Sequence, residues 1–502
     1  MFDTPKTNYH KTVFQSIMET IESLVIAFIL AFVFRAFVVE AFVIPTGSMA
    51  DTLRGAHFSL TCPKCGYSYN FGFDPRRYGY KKGSIPPHPL NVIPDRLRPG
   101  SIPICPLCGE PFDQSDRYWV SNGDRILVLK YIYQFIEPAR WDVVVFKNPD
   151  DPREHFIKRL IGRPGETIEV IDGDVYIDNQ IQRKPDHVQK ALWLKAFDND
   201  YQPEDSHLER TWRQPFQIQA ETDAWRIDQS KHRFEFDGAE QFQTLTFNKA
   251  RLSRMVNFCA YNGPAPRNNF IAGDLKLSFV LTCRGDKGQV ALQLGKYGRI
   301  YSGIINFDGT CTIFNGPVGS EMNPDKIIKQ VKFPSLIKDR PVTVSFAVVD
   351  HTWQLTLGDN KLIEIGPSDP DQWGYSSGRH RLPSAALSGR GEAFTLEHIT
   401  LQRDTHYTNS AGGTIGRGTE GNPVTLEKDQ FFVMGDNSPL SHDSRFWSGP
   451  SLGNGKTYRT GIVPRDYVVG KAFFVYWPSG YRPTSSIRIP FIPNVGKMRF
   501  IY

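Results

Sequence analysis

The sequence predicts a mainly β protein: an N-terminal transmembrane helix, then an antiparallel β domain with a β-sandwich of jelly-roll type inserted into it. Three observations carry this. One apolar run stands near the N-terminus. Short runs rich in β-branched and aromatic residues, separated by turn residues, fill most of the remainder. Their style changes near residue 181 and changes back near residue 423.

The apolar run, Ser23 to Ile44, is 22 residues broken only by Arg35 and Glu40. A bilayer core takes about 20 apolar residues, so a single span fits, with Arg35 reaching toward the far interface. A cleavable signal peptide fits less well, because its apolar core is shorter and a small-x-small site follows it. A buried core helix is the other reading. Lys6, Lys11, Asp3, Glu19 and Glu22 all lie in residues 1–22, so charge leaves the orientation open.

After the run, residues 45–180 read as the first part of the β domain, with a Cys-rich insert at 60–112. Strand signals include GDRILVLKYIY, WDVVVFKNP, HFIKRLIG and GDVYIDNQ. Residues 181–422 carry short alternating strands at sandwich spacing, such as DLKLSFVLTC, PVTVSFAVV and HTWQLTLGDNKLIEI, with a hairpin turn expected at Asp359-Asn360. Residues 423–502 return to the first style. The tail from Arg482 mixes aromatic and basic residues and reads as an edge strand or a lipid contact.

The formal charge of +6 over 502 residues, without a basic run, argues against nucleic acid and leaves only a mild attraction to anionic lipid. Of seven cysteines, Cys259, Cys283 and Cys311 are scattered. The other four form CPKC and CPLC, Cys62/Cys65 and Cys105/Cys108, each followed by glycine and separated by 39 residues. Two such knuckles suit a structural zinc held by four thiolates; two disulfides are the competing reading.

Ser48 sits in IPTGSMADTL, directly after the apolar run. A serine hydroxyl needs a base to act as a nucleophile. None of the 12 histidines has a recognisable triad context. A lysine serves when burial lowers its pKa. Lys158, in FIKRLI, shares a strand face with Phe156 and Leu160, where its ammonium is desolvated. Arg159 stands between Ile157 and Ile161 by the same logic, but arginine does not deprotonate in proteins. The bland alternative for Lys158 is a packed stem with its head in water.

Taken together, PTGSMADTL, GDRILVLK (123–130), RWDVVVF (140–146), IKRLIGRPGE (157–166), GDN (435–437) and SHDSRFW (441–447), in this order behind an apolar run, resemble the bacterial type I signal peptidases. These are membrane-anchored Ser/Lys proteases that remove signal peptides. The motifs cover about half the chain. Trp141 stands where the family usually has glycine, and Ser438-Pro439-Leu440 replaces a more polar stretch.

The resemblance implies that Ser48 is the nucleophile and Lys158 the general base. It implies that Thr46, with the Ser48 amide, forms the oxyanion hole, and that Ser441 orients the lysine. Asp443 and Arg445 match a structural salt bridge, and Asp436 supports the site. No cofactor is expected for catalysis. The expected partners are preprotein signal peptides and membrane lipid. The expected location is the inner membrane, single-pass, with the catalytic domain on the extracytoplasmic side. The family cuts after small residues at positions −1 and −3.

The inserted sandwich resembles laminin-G or concanavalin-type jelly rolls. A glycan or a protein is its expected ligand, and a spacer without ligand is the other reading. Two further functions compete with the enzyme. A self-cleaving repressor-type Ser/Lys protease carries a DNA-binding helical domain and no anchor. A membrane-tethered binding protein has a degenerate peptidase half, against which both dyad residues speak.

Overall fold

The computed structural model describes residues 13–81, 90–92, 104–111, 118–149, 151–203, 213–218, 223–256, 261, 270–319, 324–367, 370–411, 413–453, 455–478, 480–481 and 489–502. Cys259 and residues 482–488 of the tail lie outside them.

The fold is mainly β. Helix α1 spans Val13–Phe37. Its described side chains are exposed, with Leu24, Phe28, Leu30 and Phe32 between 53% and 66%. Among the described residues, no helix is long and apolar enough to cross a membrane. The side chains of Ala31 and residues 33–37 are not among those described. The expected span of 23–44 needs one correction, because α1 stops at Phe37 and Val39–Val43 forms strand β1. VEAFV is β-branched and aromatic, and it has an antiparallel partner in Arg125–Leu129.

Strand β1 opens the first sheet. The others are β2 (Arg125–Leu129), β3 (Val143–Lys147), β4 (His155–Gly162), β5 (Gln430–Met434), β6 (Val463–Pro464), β7 (Val468–Trp477) and β8 (Arg499–Phe500). The order is β1-β2-β7-β3-β4-β5-β6, all antiparallel, with β8 also on β7. Residues more than 260 apart in sequence therefore meet as neighbours in β4 and β5. One face packs Ile44, Met49, Leu53, Ile126, Val143, Val145 and Ile157. Another packs Val144, Phe146, Leu160, Phe431, Val433 and Trp447. The strand period of two explains the division, since Val144 and Val145 take opposite sides.

A small four-stranded sheet joins Thr167–Ile171, Asp174–Ile177 and Gln180–Ile181 to Val424–Thr425. Between those last two segments lie two large sheets of eight and seven strands. Their strands run from Leu194–Asp198 to Phe394–Arg403, and they share one core that includes Phe234, Phe279, Leu292, Phe346 and Leu396. This is a sandwich, with alternate residues of each strand turned inward. Its Thr352–Leu357/Asn360–Ile365 hairpin turns at Gly358-Asp359, one residue earlier than expected. Gly358 takes φ +58°, a left-handed conformation that glycine adopts without strain.

Candidate active site

Ser48 follows β1 after a four-residue tether, in a turn of intermediate exposure. Lys158 is in β4, opposite Val144 of β3, and only 4% exposed. Its Nζ lies 2.6 Å from the Ser48 Oγ. It also donates to the Ile157 carbonyl at 3.1 Å and sits 5.5 Å from the centre of the Phe156 ring. Burial pushes the Lys158 pKa down to about 8, with Asp443 and Asp436 pulling the other way. An amine that loses its proton this easily, touching a hydroxyl, is the arrangement that a Ser/Lys dyad requires.

The turn is held from β5's exit. The Asn437 amide donates to the Ser48 carbonyl at 3.0 Å, and its side-chain Nδ2 donates to the Gly47 carbonyl at 2.9 Å. A Cβ on Gly435 would stand 2.5 Å from the Ser48 carbonyl oxygen, so only glycine allows this approach. Neither the Ser48 amide nor the Thr46 hydroxyl has a protein hydrogen-bond partner among the described residues, and Thr46 is exposed. Asn437→Ala is expected to lower kcat by roughly 10-fold with KM little changed, read from steady-state cleavage, because the turn bearing Ser48 loses the side-chain tether to the Gly47 carbonyl and keeps only the backbone one.

The remaining expected residues lie close by. Asp443 and Arg445 form a fully buried bidentate pair, at 2.9 and 2.7 Å. Burial would raise the Asp443 carboxyl, but Arg445 and the Gly435 amide hold it below its usual range. Asp436 pairs with Arg159 at 2.7 Å, also buried. Ser441 is buried beside Gly435. Among the described residues its hydroxyl makes no hydrogen bond of good geometry, to Lys158 or otherwise, although it stands near enough to Asp443 to help keep that carboxylate charged.

Sequence reasoning gave no role to Asn437 and set Arg159 aside as a base. The signal for Arg159 was its place between Ile157 and Ile161, which marks a buried cation and hence a buried anion to match. Trp141 takes φ +75°, which accounts for the family's usual glycine there. Its amide donates to the Leu160 carbonyl at 2.8 Å, and its carbonyl accepts from Arg159 at 2.8 Å.

The four paired cysteines also converge. Each knuckle closes with the glycine amide donating to the first cysteine's carbonyl, at 2.9 Å in both, and Gly66 and Gly109 take φ +71° and +83°. The Cys62 and Cys108 sulfurs are 3.5 Å apart, Cys65 and Cys105 3.6 Å, and all four lie within 4.8 Å of one another. A disulfide needs about 2.05 Å, so the two disulfides of the competing reading are not present and the four cysteines are free.

The description "signal peptidase, peptidase S26" matches residues 114–225 and 387–477. The β domain that brings Ser48 and Lys158 together is similar to the peptidase S26 family over these two segments. The match to the S26 model takes in Lys158, Asp436, Ser441, Asp443 and Arg445, and skips residues 226–386 within the sandwich. Thr46 and Ser48 precede it; Ser48 meets the matched segments through its contacts with Lys158 and Asn437.

Among curated proteins, the chain is 30% identical to signal peptidase I of Rickettsia canadensis over 36% of this chain and 48% of that one. It is 38% identical to signal peptidase I of Leptolyngbya laminosa over 17% and 52%. The chain thus spans about half the length of the curated relatives it matches. Among solved structures, it is similar to the carbohydrate-binding module CBM66 from Bacillus subtilis, at 10% identity and a TM-score of 0.25, over 38% of this chain and 95% of that one.

Proposed function

We propose that this chain is a serine endopeptidase that removes signal peptides from exported preproteins with a Ser48/Lys158 dyad. The 2.6 Å contact between the two side chains carries the reading. In the reaction, Ser48 Oγ attacks the scissile carbonyl and its proton passes to Lys158 Nζ. The Ser48 amide and the Thr46 hydroxyl receive the oxyanion, a contribution of about 3–4 kcal/mol per well-placed donor. As the C–N bond breaks, Lys158 returns the proton to the leaving amine. It then deprotonates water, which attacks the ester and frees Ser48.

The substrate leaves the membrane where it is cut, so the nucleophile belongs at the lipid surface. The tether from α1 through β1 to Ser48 is short, and α1's exposed apolar side chains favour a lipid setting. A preprotein cleavage assay in detergent and in lipid vesicles tests the proposal. Wild type is expected to cut and Ser48→Ala to be inert. Equal cleavage by both, or none by either, overturns the enzyme reading; failure to sediment with vesicles overturns the lipid setting.

We infer a structural zinc at Cys62, Cys65, Cys105 and Cys108. Zn–S bonds of about 2.3 Å place tetrahedral sulfurs about 3.8 Å apart, close to the separations found here. The bound ion would cross-link the two knuckles within a small core that also holds Phe58, Leu60, Tyr69, Phe73 and Val120. Purified protein is expected to hold about one zinc per chain, and stripping it is expected to lower the melting temperature. Metal analysis finding no zinc would remove this part.

A further inference from the structure

The sequence leaves the inserted sandwich as a spacer or an independent ligand-binding unit. Tyr261 says otherwise. It lies between the sandwich strands Ala239–Phe247 and Leu275–Cys283, outside both segments that match the S26 model. Yet its side chain is buried against the nucleophile turn. A Cβ placed on Gly47 would meet the Tyr261 ring at 2.2 Å, so the ring rests directly on the residue before Ser48.

The ring is fixed from several sides. Its hydroxyl donates to the Ala56 carbonyl at 3.0 Å, its carbonyl accepts from the Gly72 amide at 2.5 Å, and the His57 ring stands 6.2 Å away. A short helix just before it, Lys249–Val256, is tied to the cysteine knuckles, where Arg251 donates to the Leu107 carbonyl at 2.6 Å. Arg251 and Tyr261 are thus both anchored to the Cys-rich insert, and Tyr261 also to the turn bearing Ser48.

We propose that Tyr261 is a positioning residue for Ser48, and that the inserted domain is through it a structural part of the active site. Asn437 holds the carbonyls of Gly47 and Ser48 from one direction. The Tyr261 ring limits Gly47 from another, so the turn has one conformation in which Oγ reaches Lys158. Gly47 has no side chain because the ring occupies that space. The proposal deepens the peptidase reading and rests on it for its kinetic consequence, but the steric pairing of Gly47 with Tyr261 stands without it.

The test is a double-mutant cycle on the full chain, read by melting temperature and by preprotein cleavage. Gly47→Ala is expected to collide with the ring and lower both stability and kcat. Adding Tyr261→Ala removes the collision, so the double variant should melt above Gly47→Ala alone. Tyr261→Ala by itself is expected to lower kcat on the order of 100-fold with KM near wild type. Tyr261→Phe keeps the ring and should retain most of the activity.

Additive melting temperatures across the cycle overturn the contact, whether or not the protein cleaves anything. A Tyr261→Ala enzyme with wild-type kcat overturns the positioning role. A wild type that does not cut preprotein defeats the peptidase reading, while the melting cycle still decides the contact.

Discussion

Replacing Lys158 by methionine is expected to abolish cleavage and, at pH 7, to raise the melting temperature. The loss of activity should be on the order of 10⁴-fold or more in kcat/KM, because among the described residues no other base touches Ser48. The gain in stability follows from the same burial that makes the lysine useful. Its pKa falls from 10.5 to about 8 in the folded chain. Holding it protonated at pH 7 in that setting costs about 3 kcal/mol, at about 1.4 kcal/mol per pH unit.

Unfolded, the lysine keeps its proton up to 10.5; folded, it releases it near 8. Unfolding therefore takes up a proton between those values, and wild-type stability rises with pH across that window. Below 8 both states are protonated and the full cost is present. Lys158→Met should lack this rise, so its advantage in melting temperature should shrink from pH 7 toward pH 10. Cleavage by wild type should climb as pH rises through about 8, as the free amine forms. A Lys158→Met variant that cuts normally, or melts below wild type at pH 7, would defeat the argument.

Arg445→Leu should be among the most destabilising single changes in the chain, by about 3–5 kcal/mol. It leaves the Asp443 carboxylate fully buried with its guanidinium partner gone. It also frees the Thr408 carbonyl and the Ser438 hydroxyl, both of which accept from Arg445. Chemical denaturation at neutral pH measures the deficit. The deficit should narrow as pH falls, because a buried carboxyl without its cation takes up a proton more readily. Asp443→Asn added to Arg445→Leu should recover part of the loss, since the amide oxygen can still accept from Gly435 without a buried charge. Activity should fall along with stability, as Asp443 holds Gly435, which packs on Ser48. A deficit below about 1 kcal/mol, typical of exposed pairs, would mean that the pair is solvated.

What the sequence by itself determined is chemical. Between Lys158 and Arg159, only the lysine could serve as a base, because arginine does not lose its proton in proteins, and Lys158 had apolar neighbours at the spacing of one strand face. Paired C-x2-C knuckles followed by glycine meant four thiols brought together. The alternating runs meant strands, and their change of rhythm marked the two large sheets. These are local properties, fixed by side-chain type and a period of two.

Only the tertiary structure decided the rest, because it depends on residues far apart in the chain. Val39–Val43 left the helix for a strand once Arg125–Leu129 offered it hydrogen-bond partners. Arg159 became the buried partner of Asp436 because β4 lies beside β5. Asn437 and Tyr261 gained their places against Gly47 and Ser48 through contacts spanning more than 200 residues, and no pattern of neighbours along the sequence encodes such a meeting.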